Sequence, residues 1–260
     1  ETPLFDALAT ALAADRPVAL ATVVEGFGIG AKLLVEPGRP AVGTLGDLDL
    51  DRVVTRDALA ELGAGLTSTR HYGAHGEARE RTVGVFIESF AASPRMIIFG
   101  AVDFTAALAR VAKVLGYHVT VCDARAVFAT PARFPMADAV VNDWPDRHLD
   151  AVEALGPRDA VCVLTHDAKF DVPAIVAALA TDVGYLGAMG SRRTHDARMA
   201  RLREEGVDDT ALARVMAPIG LDIGSRTPEE TAISICAEII ALRTGRTGVP
   251  SLRDGAGAIH

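Results

Sequence analysis

Short apolar runs alternate with stretches of helical spacing from about residue 95 onward. The apolar runs predict strands at 95–100, 118–123, 137–142, 159–165 and 184–190. They are continuously apolar, as expected for strands of a parallel sheet that is covered on both faces. The stretches between and after them predict helices at 104–115, 147–155, 172–180 and 194–205. Strands and helices that alternate in this way imply right-handed crossovers and a doubly wound α/β sheet of the Rossmann-like type.

The chain before residue 95 has a less regular pattern. It predicts helices at 3–14 and 57–62 and strands at 17–24, 31–35 and 82–90. We therefore expect a smaller α+β domain at 1–92, a Rossmann-like domain at 93–246 and a flexible tail at 247–260.

The last helix has the clearest local signals. Thr227 is a good N-cap, Pro228 suits the first helical position, and Glu230 completes a capping box. The spacing predicts an apolar stripe made of Ile233, Cys236, Ala237, Ile240 and Ala241.

Composition and charge narrow the possible functions. No apolar run approaches the roughly 18–20 residues that a bilayer-spanning helix needs. The early acidic residues Glu1 and Asp6 argue against a signal peptide. The net charge of −8 disfavours a general nucleic-acid binder. Cys122, Cys162 and Cys236 lie in apolar stretches without metal-type spacing, so we expect free thiols and a cytoplasmic location.

Polar residues follow the predicted strands at several points. In open parallel sheets, ligands bind beyond the carboxyl ends of the strands, near the point where strand order reverses. We therefore predict a cofactor site formed at that edge, with no catalytic nucleophile and no metal ligand. Its predicted residues are Gly100, Asp103, Asp123, Arg125, Thr165, His166, Asp167, Gly190, Ser191, Arg192, Arg193, Thr194 and Asp222.

The first predicted turn differs from a dinucleotide fingerprint. Asp123 lies about where an acidic residue would bind a ribose hydroxyl after Gly100. Val102 and Thr105, however, stand where two further glycines would let a pyrophosphate approach. Asp103 would repel a phosphate, although it could equally cap the helix. A dinucleotide in the usual pose is therefore disfavoured.

Two later stretches favour anions more clearly. "GSRRT" at 190–194 places two arginines at a predicted helix N-terminus, where backbone N–H groups are free. Asp222 lies in a glycine-rich stretch before the last capped helix. His166 could donate to a ligand or pair with Asp167. A solvated helix start and a plain linker remain the alternatives for these two stretches.

Three stretches closely resemble one known family. They are "LTHDAKFDVPAI" at 164–175, "YLGAMGSRRTHDAR" at 185–198 and "PIGLDIGSRTPEETAISICAEII" at 218–240. The chain is similar to the xanthine dehydrogenase accessory family, also called the XdhC/CoxI family. The resemblance implies a small N-terminal domain, a Rossmann-like domain and a homodimer. It also implies binding of molybdenum cofactor (molybdopterin) and its delivery to a molybdenum hydroxylase apoenzyme such as xanthine or carbon monoxide dehydrogenase. The resemblance therefore implies a maturation factor rather than a catalyst.

The chain departs from the family pattern at two motifs. The family's G-A-G-H-[VI]-[GA] turn is Gly-Ala-Val-Asp-Phe-Thr at 100–105, and Asp47 replaces the cysteine of its S-G-G-C-[VI]-E motif. A thiolate is a soft ligand suited to molybdenum, whereas an aspartate is a hard oxygen donor. We therefore expect a divergent member. An NAD(P)-binding oxidoreductase and a non-catalytic scaffold that docks on a hydroxylase remain the alternative functions.

Overall fold

The computed structural model describes residues 3–14, 16–246 and 248–249. These residues fall into two compact units that divide between Ala92 and Ser93. The predicted flexible tail, 247–260, lies outside the described residues except for Gly248 and Val249.

The first unit is a five-stranded antiparallel sheet with two helices. Its strands run in the order β3-β2-β1-β5-β4. The elements are α1 (Pro3–Ala13), β1 (Val18–Glu25), β2 (Lys32–Val35), β3 (Val42–Thr44), α2 (Leu48–Ala64), β4 (Ser68–Tyr72) and β5 (Val83–Phe90).

The central strand β1 is apolar along most of its length because both of its faces are covered. Val18 and Leu20 point to the side of α1, where they cluster with Ala11. Ala19 and Ala21 point to the other side, where they share a core with residues of α2. The period of two along a strand produces this division.

The second unit is a six-stranded parallel sheet in the order β11-β10-β9-β6-β7-β8. Its strands are β6 (Arg95–Phe99), β7 (His118–Cys122), β8 (Ala139–Val141), β9 (Ala160–Val163), β10 (Tyr185–Ala188) and β11 (Val215–Met216). Its helices are α3 (Asp103–Val114), α4 (Pro145–Ala151), α5 (Ala168–Leu179), α6 (Arg192–Glu204), α7 (Asp209–Leu212) and α8 (Pro228–Arg243). The prediction of a Rossmann-like doubly wound sheet with a smaller α+β unit is confirmed.

Helices cover both faces of the parallel sheet. Residues of α4, α5 and α6 form one core with side chains such as Phe99 and Val163. Residues of α3 and α8 form the other core with Met96, Ile98 and Leu164. The strand order reverses between β6 and β9, so this is the point where a ligand crevice is expected.

Some local predictions were wrong. The helix predicted at 57–62 is the longer α2, which begins after the N-cap Asp47. The predicted stripe on α8 is right at Cys236 and Ala241, which are buried, but wrong at Ile233 and Ile240, which are 53% and 38% exposed. The buried residues of α8 are Ala232, Ser234, Ile235, Cys236, Ile239 and Ala241. Strands β3 and β4 were not predicted because they contain no apolar run, and β11 and α7 were not predicted because they have only two and four residues.

Candidate functional site

The strand register places the ends of β6, β9 and β10 side by side. Phe99 is level with Val163, and Val163 is level with Ala188. The turns that follow these strands therefore emerge at one edge of the sheet. Gly100 has a φ of +108°, and a Cβ there would lie 2.7 Å from Thr165 Cγ2. The two strand ends thus meet closely at the point where strand order reverses.

The turn from β6 into α3 is closed by its own side chains. The buried Thr105 hydroxyl donates a hydrogen bond to the Gly100 carbonyl oxygen and accepts one from Val102 N at 3.4 Å. Asp103, the first residue of α3, has a side chain that is 92% exposed and lies 3.9 Å from Arg133. A carboxylate at this helix N-terminus interacts favourably with the helix dipole but repels a second anion.

Asp123 lies at the end of β7 and faces inward. Its carboxylate accepts hydrogen bonds from Ala101 N at 2.8 Å and from Arg125 Nη2 at 2.7 Å. Its side chain is 2% exposed, so its oxygens hold the first turn and Arg125 in place. Burial alone would raise the pKa of the Asp123 carboxyl, but the Arg125 guanidinium and the two backbone N–H groups lower it below its usual value.

The turn from β10 into α6 is arranged differently. Gly190 has a φ of +148°, and the Ser191 hydroxyl caps α6 by accepting a hydrogen bond from Thr194 N at 3.2 Å. Arg192 and Arg193 are exposed and occupy the first turn of the helix. The first N–H groups of a helix have no intrahelical partner, so this end combines free donors with two guanidinium groups.

A buried ion pair that the sequence analysis missed lies beneath this turn. Arg198 Nη2 donates to Asp171 Oδ2 at 2.7 Å and to the Met189 carbonyl at 2.8 Å. The side chains of Arg198 and Asp171 are 3% and 4% exposed. Thr165 donates a hydrogen bond to the other Asp171 oxygen, which connects the ends of β9 and β10 through one network. Arg198 Nη1 is buried and has no hydrogen-bond partner among the described residues.

Burial sets the electrostatics of this pair. It raises the pKa of the Asp171 carboxyl, and hydrogen bonds from Thr165 and Arg198 oppose that rise. The sequence contains one signal that could have identified Arg198. It lies one turn before Leu202 and next to Met199, so it occupies the buried face of an otherwise arginine-rich polar helix.

The remaining predicted residues lie around the same edge. Asp167 caps α5 by accepting from Lys169 N at 3.1 Å, and it lies within electrostatic range of Arg125. His166, between the end of β9 and this cap, is exposed. Asp222 is also exposed, in a segment attached to the end of β10 by a 3.2 Å hydrogen bond from Ile219 N to Ala188 O.

Three aromatic side chains at this edge were also missed. Phe128 follows β7, Trp144 precedes α4, and Phe170 lies in the first turn of α5. Trp144 and Phe170 have ring centroids 5.0 Å apart. The Arg125 guanidinium carbon lies 4.7 Å from the Phe128 centroid and 5.8 Å from that of Phe170. A search of the sequence for polar groups alone could not detect this cluster.

Other features do not add a metal or thiolate site. Cys122, Cys162 and Cys236 are free and buried, and burial raises the pKa of each thiol. Among the described residues, no group of three or more His, Cys, Asp or Glu side chains could hold a metal ion. No helix in the described part of the chain is both long and apolar enough to cross a bilayer. A groove of about 730 Å³ is lined by residues of α4, α5 and the end of α6, and neither Gly100 nor Gly190 lines it.

Asp47 in the first unit has a structural role. Its carboxylate caps α2 by accepting from Asp49 N and Leu50 N, each at 3.0 Å, and it lies 2.8 Å from His75 Nδ1. Hydrogen bonding to Leu50 N and His75 lowers the pKa of Asp47, and the contact with Asp47 raises the pKa of His75.

Two family models match the chain. One, described as the XdhC Rossmann domain, matches residues 96–239, and the other, described as the XdhC and CoxI family, matches residues 11–73. A crystal structure described as a xanthine dehydrogenase from Bacillus halodurans is 22% identical, with a TM-score of 0.54 over 96% of this chain and 98% of that chain. At this identity the likeness supports the fold alone.

Three curated proteins are similar in sequence. The Escherichia coli (strain K12) protein YqeB, named as uncharacterized, is 30% identical over 89% of this chain and 44% of its own length. A Bacillus subtilis (strain 168) protein, named as a probable subunit of xanthine dehydrogenase, is 33% identical over 63% of this chain and 47% of its length. The molybdenum cofactor insertion chaperone PaoD of Escherichia coli (strain K12) is 36% identical over 32% of this chain and 26% of its length.

The chain thus spans less than half the length of each of these relatives. The match to the XdhC Rossmann domain nevertheless covers more than half of the chain, and it includes the strands and turns described above. The chain belongs to the XdhC and CoxI family.

Proposed function

We propose that this protein binds molybdenum cofactor and helps to deliver it to a molybdenum hydroxylase apoenzyme such as xanthine or carbon monoxide dehydrogenase. The observation that carries the proposal is the α6 end of the parallel sheet. There the first N–H groups of α6, two exposed arginines and the buried Arg198, whose Nη1 has no hydrogen-bond partner among the described residues, lie together. A relative named as a molybdenum cofactor insertion chaperone supports the same role.

The residues present fit the chemistry of a molybdopterin. Its phosphate requires N–H donors and guanidinium groups, and the N-terminus of α6 supplies both. At the N-terminus of α3, the Asp103 carboxylate would instead repel a phosphate. Its pterin ring requires hydrogen-bonding partners, which the exposed His166 after β9 and the exposed Asp222, in the segment bonded to the end of β10, would supply. When bound, the cofactor supplies the metal chemistry of the recipient hydroxylase. The chain's own part is to hold and orient the cofactor and to shield it from water.

This role makes the protein a maturation factor rather than a catalyst. The three cysteines are buried, with pKa values raised by burial, so they are not available as thiolate ligands. We also propose that the protein is cytoplasmic, forms a homodimer and contacts the apoenzyme directly.

Binding to the purified chain tests the proposal. We expect molybdopterin to co-elute with the protein in gel filtration, detected by pterin fluorescence after oxidation. The double variant Arg192→Ala, Arg193→Ala should weaken binding about tenfold or more, because it removes two cationic contacts to the phosphate. Arg201→Ala, an exposed arginine later on the same helix, is the matched control. Wild-type protein that retains no molybdopterin at high micromolar concentration would contradict the proposal.

The alternative of an NAD(P)-binding oxidoreductase rests on Asp123 at the end of β7. Titration with NADH tests it, since binding would shift or enhance nicotinamide fluorescence. We expect no change, because the Asp123 oxygens are already engaged and Thr105 fills the first turn. The other alternative, a non-catalytic scaffold, predicts co-purification with a hydroxylase subunit but no retained pterin.

A further inference from the structure

Three aromatic residues and one arginine form a continuous surface at the carboxyl edge of the parallel sheet. We call this surface, made of Arg125, Phe128, Trp144 and Phe170, the aromatic platform. Its members come from three separate segments, which follow β7, β8 and β9 respectively. Neither the fold nor the ion-pair network described above accounts for their convergence.

The platform has a layered arrangement. The Arg125 guanidinium lies near the ring of Phe128 at 4.7 Å and the ring of Phe170 at 5.8 Å from each centroid. Trp144 packs on Phe170 with centroids 5.0 Å apart and a tilt of 46° between the planes. Phe170 is therefore the buried base of the platform, while Phe128 and Trp144 are 40% and 39% exposed.

Asp123 fixes the orientation of the guanidinium. It accepts hydrogen bonds from both Arg125 Nε, at 2.9 Å, and Arg125 Nη2, at 2.7 Å. A two-point contact of this kind holds the planar group in one orientation. The Arg125 side chain therefore loses little further conformational entropy when a ligand binds. The side chain of Arg125 is still 42% exposed, so part of it is open to solvent.

Among the described residues of the second unit, Phe128 and Trp144 are the exposed aromatic side chains. Only 5% of the chain is aromatic. Phe99, Phe134, Tyr72, Tyr117 and Tyr185 are buried in the two units, as expected for side chains that stabilise a core. Phe128 and Trp144 instead keep large exposed areas beside an ordered guanidinium. Aromatic and guanidinium planes of this kind are the surfaces on which planar heterocycles stack.

We propose that the aromatic platform is a stacking subsite for the planar nitrogen heterocycle of a phosphate-bearing ligand. The inference rests on the proposed function and specifies which residues take the ring: the pterin lies on the platform and its phosphate lies toward the α6 end. An adenine ring has the same stacking chemistry, so the experiment compares the two rings directly.

Trp144 makes the test direct because it is the single tryptophan of the chain. Its emission therefore reports on the platform alone. The full chain is titrated with molybdopterin, with pterin-6-carboxylate, with AMP and with inorganic phosphate, and affinities are measured by calorimetry. We expect molybdopterin to bind more tightly than AMP and pterin-6-carboxylate to quench Trp144, whereas inorganic phosphate leaves the emission unchanged.

Variants separate stacking from other contacts. Phe128→Leu and Trp144→Leu should each weaken binding of pterin-6-carboxylate and of molybdopterin roughly tenfold, as expected from the loss of one stacking partner. Arg125→Lys keeps the charge but removes the plane, so it should also weaken binding. Phe27→Leu, which replaces a 50% exposed phenylalanine of the first unit, is the matched control and should bind as the wild type does.

The outcomes distinguish this inference from the proposed function. Molybdopterin binding at wild-type affinity in both Phe128→Leu and Trp144→Leu would overturn the platform and leave the proposed function standing. AMP binding that is tighter than molybdopterin binding and sensitive to both variants would support the stacking subsite but count against molybdenum cofactor as its ligand. Wild-type protein that binds none of the ring compounds would overturn both. Both substituted side chains are partly exposed, so loss of folding is not expected, and circular dichroism checks this.

Discussion

Two turns at the carboxyl edge of the parallel sheet, one after β6 and one after β10, each begin with a glycine at positive φ and lead into a helix of at least twelve residues. In the first, Thr105 bonds back to the turn and an exposed Asp103 stands at the helix N-terminus. In the second, Ser191 caps the helix and two exposed arginines follow. The two helix dipoles are similar, so the side chains determine which of the two helix N-termini favours an anion.

The two turns also rest on different buried groups. Beneath the first is the Asp123 carboxylate, which donates nothing and accepts from Ala101 N and Arg125. Beneath the second is the Arg198 guanidinium, with one nitrogen that has no hydrogen-bond partner among the described residues. The two helix N-termini therefore differ in charge: Asp103 disfavours an anion at the first, whereas Arg192 and Arg193 favour one at the second. Substitutions at both turns test this comparison.

The largest effect is expected from Arg198→Met. The substitution leaves the Asp171 carboxylate buried without its cation, which costs about 3–5 kcal/mol when one partner of a buried pair is removed. Urea denaturation of the full chain measures the change. Arg201→Met, an exposed position on the same helix, is the control and should change the free energy of unfolding by less than about 0.5 kcal/mol.

A double variant sharpens this prediction. Asp171→Leu combined with Arg198→Met replaces the whole pair with apolar side chains, which is often neutral or stabilising. We expect the double variant to recover most of the stability lost by Arg198→Met alone. Equal losses in the single and double variants would show that the pair does not act as a unit.

The next largest effect is expected from Gly100→Ala. A methyl group there meets both a positive φ, which costs roughly 1–2 kcal/mol, and a 2.7 Å contact with Thr165 Cγ2. We expect a total loss of about 2–4 kcal/mol by thermal or urea denaturation, since overpacking adds roughly 1–3 kcal/mol. Gly46→Ala is the matched control, because Gly46 has a φ of +106° and no atom within 4 Å of the added Cβ. Equal losses at the two glycines would show that backbone strain alone, and not the approach to Thr165, constrains the first turn.

A smaller effect, with a defined pH dependence, is expected from Asp123→Asn. The Asp123 carboxylate uses one oxygen for Ala101 N and Arg125 Nη2 and the other for Arg125 N and Arg125 Nε. The amide of asparagine has only one oxygen, so two of these donors lose their acceptor and the unfolding free energy falls by about 1–3 kcal/mol at pH 7. The pKa of Asp123 in the folded protein is below its unfolded value, which is about 4. Its contribution is therefore fully present above that unfolded value and is lost as the pH falls through the folded one.

Denaturation curves measured between pH 7 and pH 2 check this sign. The difference between wild type and Asp123→Asn should be largest at neutral pH and should shrink below about pH 4. Asp103→Asn serves as the control, because its side chain is 92% exposed and its substitution leaves no buried donor without a partner. A difference that stays constant over the whole range would indicate that Asp123 acts through packing and not through its charge.

The layers of the second unit could be predicted from the sequence because each strand is a continuous apolar run. Elements whose stability depends on tertiary contacts could not. Strand β11 has two residues and α7 has four, so neither contains a readable period. Ile233 and Ile240 were assigned to the wrong face of α8 because the helix is apolar nearly all round, and the partner α3 selects which residues are buried.

The candidate site shows the same limit. Residues that follow strands, such as Gly100, Thr165 and Gly190, were predicted to meet at one edge, and the register places the ends of their strands β6, β9 and β10 side by side. Arg198 was missed because it lies two turns into a helix that contains several other arginines. Phe128 and Trp144 were missed because an isolated aromatic residue in a loop gives no sign of what it will pack against.

The smallest effect on stability, and the most direct test of the two turns, comes from Asp103→Asn and Ser191→Ala compared side by side. Asp103→Asn removes a favourable charge at the α3 N-terminus and should cost about 0.3–1 kcal/mol. Ser191→Ala removes a cap and should cost about 1 kcal/mol. Their effects on ligand binding should differ in kind. Molybdopterin affinity should be unchanged in Asp103→Asn if the phosphate lies at α6, whereas Ser191→Ala should reduce it several-fold by loosening the donors of that helix end. An affinity that rises strongly in Asp103→Asn and is unaffected by Ser191→Ala would place the anion at the first turn, with Asp103 as the group that keeps it weakly bound.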